Sequence, residues 1–135
     1  MSFREKSAWV MAAIIIITVG LYVALISPIP GSALSLPVVI GAIIVLAILS
    51  VFGQTAIAIL SPKDAGAAAD ERDKRVAEKA SSIAGTVLTV GVVISLGMYV
   101  VGHGGHALFH AVFASLVIAQ LAEYALTILY YRRGV

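Results

Sequence analysis

The sequence predicts an all-α, polytopic membrane protein whose four transmembrane helices pack as two antiparallel hairpins. Of its 135 residues, 61% are hydrophobic and only 12% are charged, which is about half the charged fraction of ordinary soluble domains. A helix needs roughly 20 apolar residues to cross a bilayer core, and four stretches approach or exceed that length. These stretches lie at residues 8–26, 38–60, 83–101 and 106–131. With short connections they use nearly all of the sequence, so we expect a single membrane domain over 1–135.

The Lys and Arg residues predict how the helices are oriented in the membrane. All nine lie at the two ends of the chain or within residues 61–82, whereas the connections 27–37 and 102–105 contain none. Short loops rich in Lys and Arg stay on the cytoplasmic side of a membrane. We therefore expect both termini and the segment 61–82 to lie in the cytoplasm.

The first two helices are predicted from apolar runs that proline residues delimit. The first run, 8–26, is longer than the apolar region of a typical signal peptide, so we expect an uncleaved membrane helix. It ends after Ile26 because Pro28 lacks a backbone donor and disfavours a helical conformation in Ser27 before it. Pro37 suits the first turn of the second helix, where a missing N–H costs nothing.

The segment 61–82 carries the main charge cluster, with five basic and five acidic residues. This balance argues against a polybasic site for anionic lipid. Charges of opposite sign recur four residues apart, which favours a helix, and we expect one to run from about Ala67 into the third span without a break. The segment is either a solvated helical stem or a docking surface for a cytoplasmic partner. The candidate docking residues are Asp70, Glu71, Arg72, Asp73 and Arg75.

The third and fourth helices are predicted to form a tight antiparallel hairpin, because only the short sequence GHGG separates them. Gly85 with Thr89 and Gly91 with Ser95 have the small-xxx-small spacing that lets membrane helices approach closely. The second helix carries comparable small residues, among them Gly41 and Gly53. The fourth helix closes with the sequence YYRR, an aromatic and basic anchor for the cytoplasmic interface.

The charged stretch before the third helix also carries a resemblance. The sequence DERD at 70–73, followed by EKAS at 78–81 and a membrane helix, resembles a family of small uncharacterised prokaryotic membrane proteins. Members of that family have four predicted helices and a DER-type segment before the third. The likeness covers about residues 70–133. It implies the same topology and a prokaryotic cytoplasmic (inner) membrane, and it implies no activity.

Glu123 is the one ionisable residue that lies well inside a predicted span. A charge at that depth is costly unless it is paired or protonated, so such a residue is a candidate for function. Gln120 and Thr127 fall on the same helix face, and Gln54 of the second helix is expected at a similar depth. Two interpretations stay open. Glu123 either takes up and releases a proton, or it fastens two helices or two protomers through a hydrogen bond.

Three histidines, His103, His106 and His110, cluster at the outer end of the fourth helix. His106 and His110 are four residues apart, so their imidazoles project from one helix face, and His103 can fold back from the glycine-rich turn. Imidazole binds Zn, Cu, Ni or Fe, but a zinc site needs a fourth ligand or a water, and haem needs histidines from two helices. A symmetric dimer would supply histidines from two helices and could thus hold haem. Otherwise the histidines are polar residues of the membrane interface.

These features define three hypotheses for function. The chain has no cysteine and no evident catalytic constellation, so no enzymatic activity and no cofactor are expected. The first hypothesis is an accessory, regulatory or scaffold protein whose partners are the lipid bilayer, a second copy as a homodimer, or another cytoplasmic or membrane protein, and no nucleic acid. The second is a small proton-coupled transporter that uses Glu123. The third is a metal- or haem-binding protein that uses the outer histidines.

Overall fold

The computed structural model describes residues 3–26, 36–60 and 70–133. This part of the chain contains four helices: α1 (Phe3–Ile26), α2 (Leu36–Leu60), α3 (Glu71–Val100) and α4 (Gly105–Arg133). All four are long and apolar enough to cross a membrane, which confirms the all-α class and the expectation of four helices that could span a bilayer. The chain divides into two compact units, Met1–Ala67 with α1 and α2, and Ala68–Val135 with α3 and α4.

The helices extend beyond the apolar runs from which they were predicted. α1 begins at Phe3 instead of residue 8, α2 at Leu36 instead of residue 38, and α4 ends at Arg133 instead of residue 131. Pro37 lies in the first turn of α2, as predicted. Hydropathy locates the part of a helix that hydrocarbon can solvate. A helix satisfies its own backbone hydrogen bonds and can continue into water beyond that part.

In the first unit, α2 packs closely against α1 at Gly53. A Cβ atom added there would lie 2.5 Å from Ile14 Cδ1 and 3.2 Å from Val10 Cγ1. Nearby, Ser7 Oγ donates a hydrogen bond to Gln54 Oε1 at 3.0 Å, so the start of α1 lies beside the end of α2. Gly41 behaves differently from Gly53, because a Cβ added there meets no atom within 4 Å.

Most large side chains of α2 are exposed, including Phe52 (69%) and Ile59 (72%). Exposed apolar surface costs about 25 cal/mol per Å² in water, and a helix that is apolar on every side is typical of a membrane span. This surface fits a hydrocarbon environment.

In the second unit, α3 faces α4 with a row of mostly small residues, here called the inner seam. A Cβ atom added at Gly91 would lie 2.6 Å from Ser115 Cβ and 3.5 Å from Ser115 Cα, so the two backbones approach closely. The hydroxyl groups at this contact bond within their own helices, Ser95 to the Gly91 carbonyl and Ser115 to the Ala111 carbonyl, both at 2.7 Å. The predicted packing role of Gly91 and Ser95 is confirmed. The inner seam comprises Val76, Ala80, Ala84, Gly91 and Ser95.

The other predicted small pair on α3, Gly85 and Thr89, does not lie on the inner seam. Both residues are exposed, and a Cβ added at Gly85 meets no atom within 4 Å. The Thr89 hydroxyl bonds to the Gly85 carbonyl at 2.9 Å. At about 100° per residue, the six positions between Gly85 and Gly91 place these two glycines on different sides of the helix.

The connection between α3 and α4 is as short as predicted. Val101 is the C-cap of α3, and Gly102 follows with a φ of +98°, a conformation that glycine adopts without steric cost. The Gly102 N–H bonds to the Tyr99 carbonyl at 3.1 Å, and the His103 N–H bonds to the Met98 carbonyl at 3.2 Å. This pattern is a Schellman motif, and it reverses the chain so that α4 can begin at Gly105.

Candidate functional site

The charged stem of α3, residues 71–82, begins at a well-formed helix cap. Asp70 has an extended backbone conformation, and its Oδ1 accepts a hydrogen bond from the Asp73 N–H at 2.6 Å. An aspartate cap of this kind stabilises a helix by about 1 kcal/mol. Ala67, the predicted start of the helix, lies outside the described residues, and the helix that reaches the membrane begins at Glu71. Its unbroken course from the stem into the third span agrees with the prediction.

Arg72, Asp73 and Tyr131 form a contact between the start of α3 and the end of α4, here called the stem clamp. The Tyr131 hydroxyl donates to Asp73 Oδ1, and Arg72 Nη2 donates to the Tyr131 carbonyl oxygen at 3.0 Å. The Arg72 guanidinium carbon also lies 5.8 Å from the centroid of the Tyr131 ring, within the range of a cation–π contact. Three interactions thus fix the stem to the last turn of α4.

The stem clamp determines which of the predicted docking residues are accessible to a partner. Asp70, Arg72 and Asp73 are engaged within the second unit. Glu71 and Arg75 have highly exposed side chains (83% and 70%), and their closest N–O distance is 3.7 Å. An exposed pair at that distance contributes little to stability, so these two charges are accessible to another molecule.

The stem clamp was not predicted from the sequence, which indicated only an interfacial anchor at Tyr131. The sequence nevertheless contains a signal for the contact between Asp73 and Tyr131. Asp73 and Tyr131 are separated from the turn at 101–104 by nearly the same number of residues. In two antiparallel helices joined by a tight turn, such residues lie side by side, since both helices rise about 1.5 Å per residue.

Glu123 and Gln120 are brought together within α4, as predicted. Gln120 Nε2 donates to Glu123 Oε2 at 3.2 Å, and both residues are half-buried. Thr127, also half-buried, lies one turn further along the same face. Gln54 has its described hydrogen bond with Ser7 of α1. The cluster on α4 therefore consists of a carboxylate, the amide that donates to it and a nearby hydroxyl.

The three histidines have different surroundings. His103 Nδ1 lies 3.0 Å from the Met98 carbonyl oxygen, which leaves Nε2 as its nitrogen for any ligand. His110 meets the Phe109 ring edge-on, with centroids 5.6 Å apart, and Phe109 in turn stacks near Phe113. The side chain of His106 lies outside the described residues. Within the residues described, no three His, Cys, Asp or Glu side chains are grouped to hold a metal ion, and the histidine site stays a prediction.

Thr18 is a buried polar residue that sequence analysis did not single out. Ser50 and Thr55 satisfy their hydroxyl groups with backbone carbonyls four residues earlier. Thr18 Oγ1, by contrast, is buried and has no hydrogen-bond partner in the described part of the chain. A buried hydroxyl without a partner costs about 1–3 kcal/mol. The sequence signal is a single hydroxyl in the run IIIITV.

Comparison with known proteins gives one match. A family model described as "Predicted membrane protein (DUF2178)" matches residues 4–135. No curated protein and no solved structure matches the chain. The family match covers the four helices except Phe3, and it includes the stem clamp and Glu123; it assigns no activity to any of them. The DER-type segment as a family feature and the prokaryotic origin stay predictions.

Proposed function

The chain belongs to the DUF2178 family of predicted membrane proteins, and on that premise we propose that it is an accessory or scaffold protein of the cytoplasmic membrane. In this proposal the four helices form two antiparallel hairpins with both termini in the cytoplasm. The contacts of Ser7 with Gln54 and of Asp73 with Tyr131 support the antiparallel pairing. The confinement of Lys and Arg to one side of the four spans supports the orientation.

The observation that carries this proposal is the length and fixation of α3. Its 30 residues form one unbroken helix, about 45 Å long at 1.5 Å per residue. Roughly 20 residues suffice to cross the bilayer core, so the stem projects beyond it by several turns. The stem clamp holds the end of α4 beside this projection. A charged surface that is already ordered loses little conformational entropy when it binds a partner.

The exposed charges of the stem are the expected contact points. Glu71, Arg75, Glu78 and Lys79 are all exposed, on a stem whose backbone the clamp fixes. Such charges contribute mainly to the specificity and rate of association. A protein that works through these contacts should form assemblies that depend on the charge of the stem.

The test is native mass spectrometry of the intact chain, extracted from its membrane in a mild detergent. We expect an assembly larger than the monomer that is lost in Arg75→Glu. Arg133→Glu is the matched control, since Arg133 is also exposed and the charge change is the same. A monomeric wild-type chain, or equal behaviour of the two variants, would contradict the proposed function.

A second candidate function, a proton-coupled transporter, is favoured by the hydrogen bond between Gln120 and Glu123 at 3.2 Å. It fixes a carboxylate within a membrane span, where ionisable groups often serve proton transfer. Purified chain in vesicles with a trapped pH-sensitive dye should conduct protons under an imposed pH gradient. Glu123→Gln should abolish this flux, whereas Glu78→Gln on the exposed stem should leave it unchanged. Absence of flux in the wild type would overturn this candidate.

A further inference from the structure

The side of α3 that faces away from the inner seam has a continuous row of exposed residues, here called the outer seam. Successive members are three or four positions apart and span almost the whole helix. Each of them is exposed. The outer seam comprises Glu71, Arg75, Glu78, Ser82, Gly85, Thr89, Val93 and Leu96.

The spacing of the outer seam matches a helix–helix interface. A repeat of three and four positions averages about 3.5 residues, the period at which two helices stay in contact along a left-handed supercoil. The inner seam has similar spacing, and α4 occupies it. α3 therefore has two sides suited to helix packing. Within the second unit, α4 packs against one of them, the inner seam.

Gly85 and Thr89, in the middle of the outer seam, leave room for a second helix. A Cβ added at Gly85 meets no atom within 4 Å, so another backbone has room to come close. The Thr89 hydroxyl already bonds to the Gly85 carbonyl at 2.9 Å. Burying Gly85 and Thr89 would therefore not leave the Thr89 hydroxyl unpaired, which would otherwise oppose association.

The charged end of the outer seam indicates which partner fits. Glu71, Arg75 and Glu78 alternate in sign and are exposed. Two copies of the chain inserted in the same membrane have parallel α3 helices. In equal register, each Arg75 faces Arg75 of the other copy and lies about 4.5–6 Å along the axis from its Glu78 and Glu71. The long, exposed Arg75 side chain can span that offset and turn away from its own counterpart toward either carboxylate.

We propose that the outer seam binds the outer seam of a second copy, so that the chain forms a parallel homodimer through α3. This dimer supplies the partner of the proposed scaffold function and rests on that function. α4 packs on the opposite side of α3 and keeps its stem clamp in the dimer. Two rigid stems then project together from the membrane.

Disulfide cross-linking in native membranes tests the dimer, because the chain has no cysteine of its own. We expect Ser82→Cys and Thr89→Cys to form covalent dimers under a membrane-permeant oxidant. Ile83→Cys and Val90→Cys are matched controls, since both residues are exposed, lie at nearly the same depth and point about 100° away. A disulfide requires Cα atoms about 4.4–6.8 Å apart, so the controls should yield several-fold less dimer. Equal yields at all four positions, or no dimer at Ser82→Cys and Thr89→Cys, would overturn the inference.

Native mass spectrometry of two glycine variants gives an independent measurement. Gly85→Leu should convert the dimer to monomer, whereas Gly97→Leu should remain dimeric. Neither position has an atom within 4 Å of an added Cβ, so both variants should keep the fold of the second unit. A dimer that survives Gly85→Leu would overturn the inference. An assembly of one chain with a different protein would also overturn it while leaving the scaffold function intact, and a wild-type monomer would contradict both.

Discussion

Asp70 and Asp73 are close in sequence but stabilise different parts of the second unit. Asp70 caps α3 by accepting the Asp73 N–H at 2.6 Å. Asp73 occupies the position from which a capping box would return a hydrogen bond to the cap residue, and its carboxylate also accepts the Tyr131 hydroxyl of α4. A negative side chain in the first turn is also favoured by the helix dipole. The charged motif before the third span thus combines a local cap with a tertiary contact.

Tyr131→Phe isolates the hydroxyl contribution to the stem clamp. The ring remains beside Arg72, but the donor to Asp73 is lost, so we expect the free energy of unfolding in detergent to fall by about 1 kcal/mol. Hydrogen exchange of the amides in the first turns of α3 should become faster. Tyr130→Phe is the control, since no hydrogen bond of the Tyr130 hydroxyl is found among the described residues. Equal losses in the two variants would show that the hydroxyl of Tyr131 has no special role.

The elements of the second unit are held by close backbone contact more than by large side chains. Ala80 and Ala84 are buried on α3, and Gly91 faces Ser115 of α4. In a membrane, association of helices gains little from hydrophobicity and depends on packing. Small residues on facing sides are the means by which two helices reach that packing.

Gly91 and Gly97 provide a matched pair for testing this contact. Gly91→Ala places a Cβ atom 2.5 Å from Ser115 Oγ, and overpacking of this kind costs about 1–3 kcal/mol. Gly97→Ala meets no atom within 4 Å and should be neutral or stabilising, because alanine favours helix by about 1 kcal/mol over glycine. Thermal unfolding of the two variants in detergent checks the difference. If Gly91→Ala unfolds at the same temperature as the wild type, α4 can shift away from α3 without an energetic cost, and the close contact does not matter for stability.

At the scale of the whole molecule, the charge pattern predicts which connections face the cytoplasm. The natural absence of cysteine lets single cysteines report this topology. Gly104→Cys, in the turn between α3 and α4, should react with a membrane-impermeant maleimide on intact cells. Glu78→Cys, on the exposed stem, should react only after the membrane is permeabilised. The opposite result would invert the proposed orientation.

The sequence by itself determined the number of helices, their class and their approximate centres. Apolar length decides whether a helix can cross hydrocarbon, and the cap, turn and proline signals are local, so the turn at Gly102 and the position of Pro37 followed from nearby residues. The pairing of Gln120 with Glu123 was also predictable, since both lie on one helix face.

Only the tertiary structure decided which of several similar signals is used for packing. Gly91 with Ser95 and Gly85 with Thr89 share one sequence spacing, yet only the first pair meets α4, because the rotation of α3 is fixed by contacts far along the chain. The same rotation brings Asp73 to Tyr131 and leaves Glu71 and Arg75 exposed. A short motif contains no information about the distant helix beside it, and for that reason the stem clamp and the outer seam emerged from the fold.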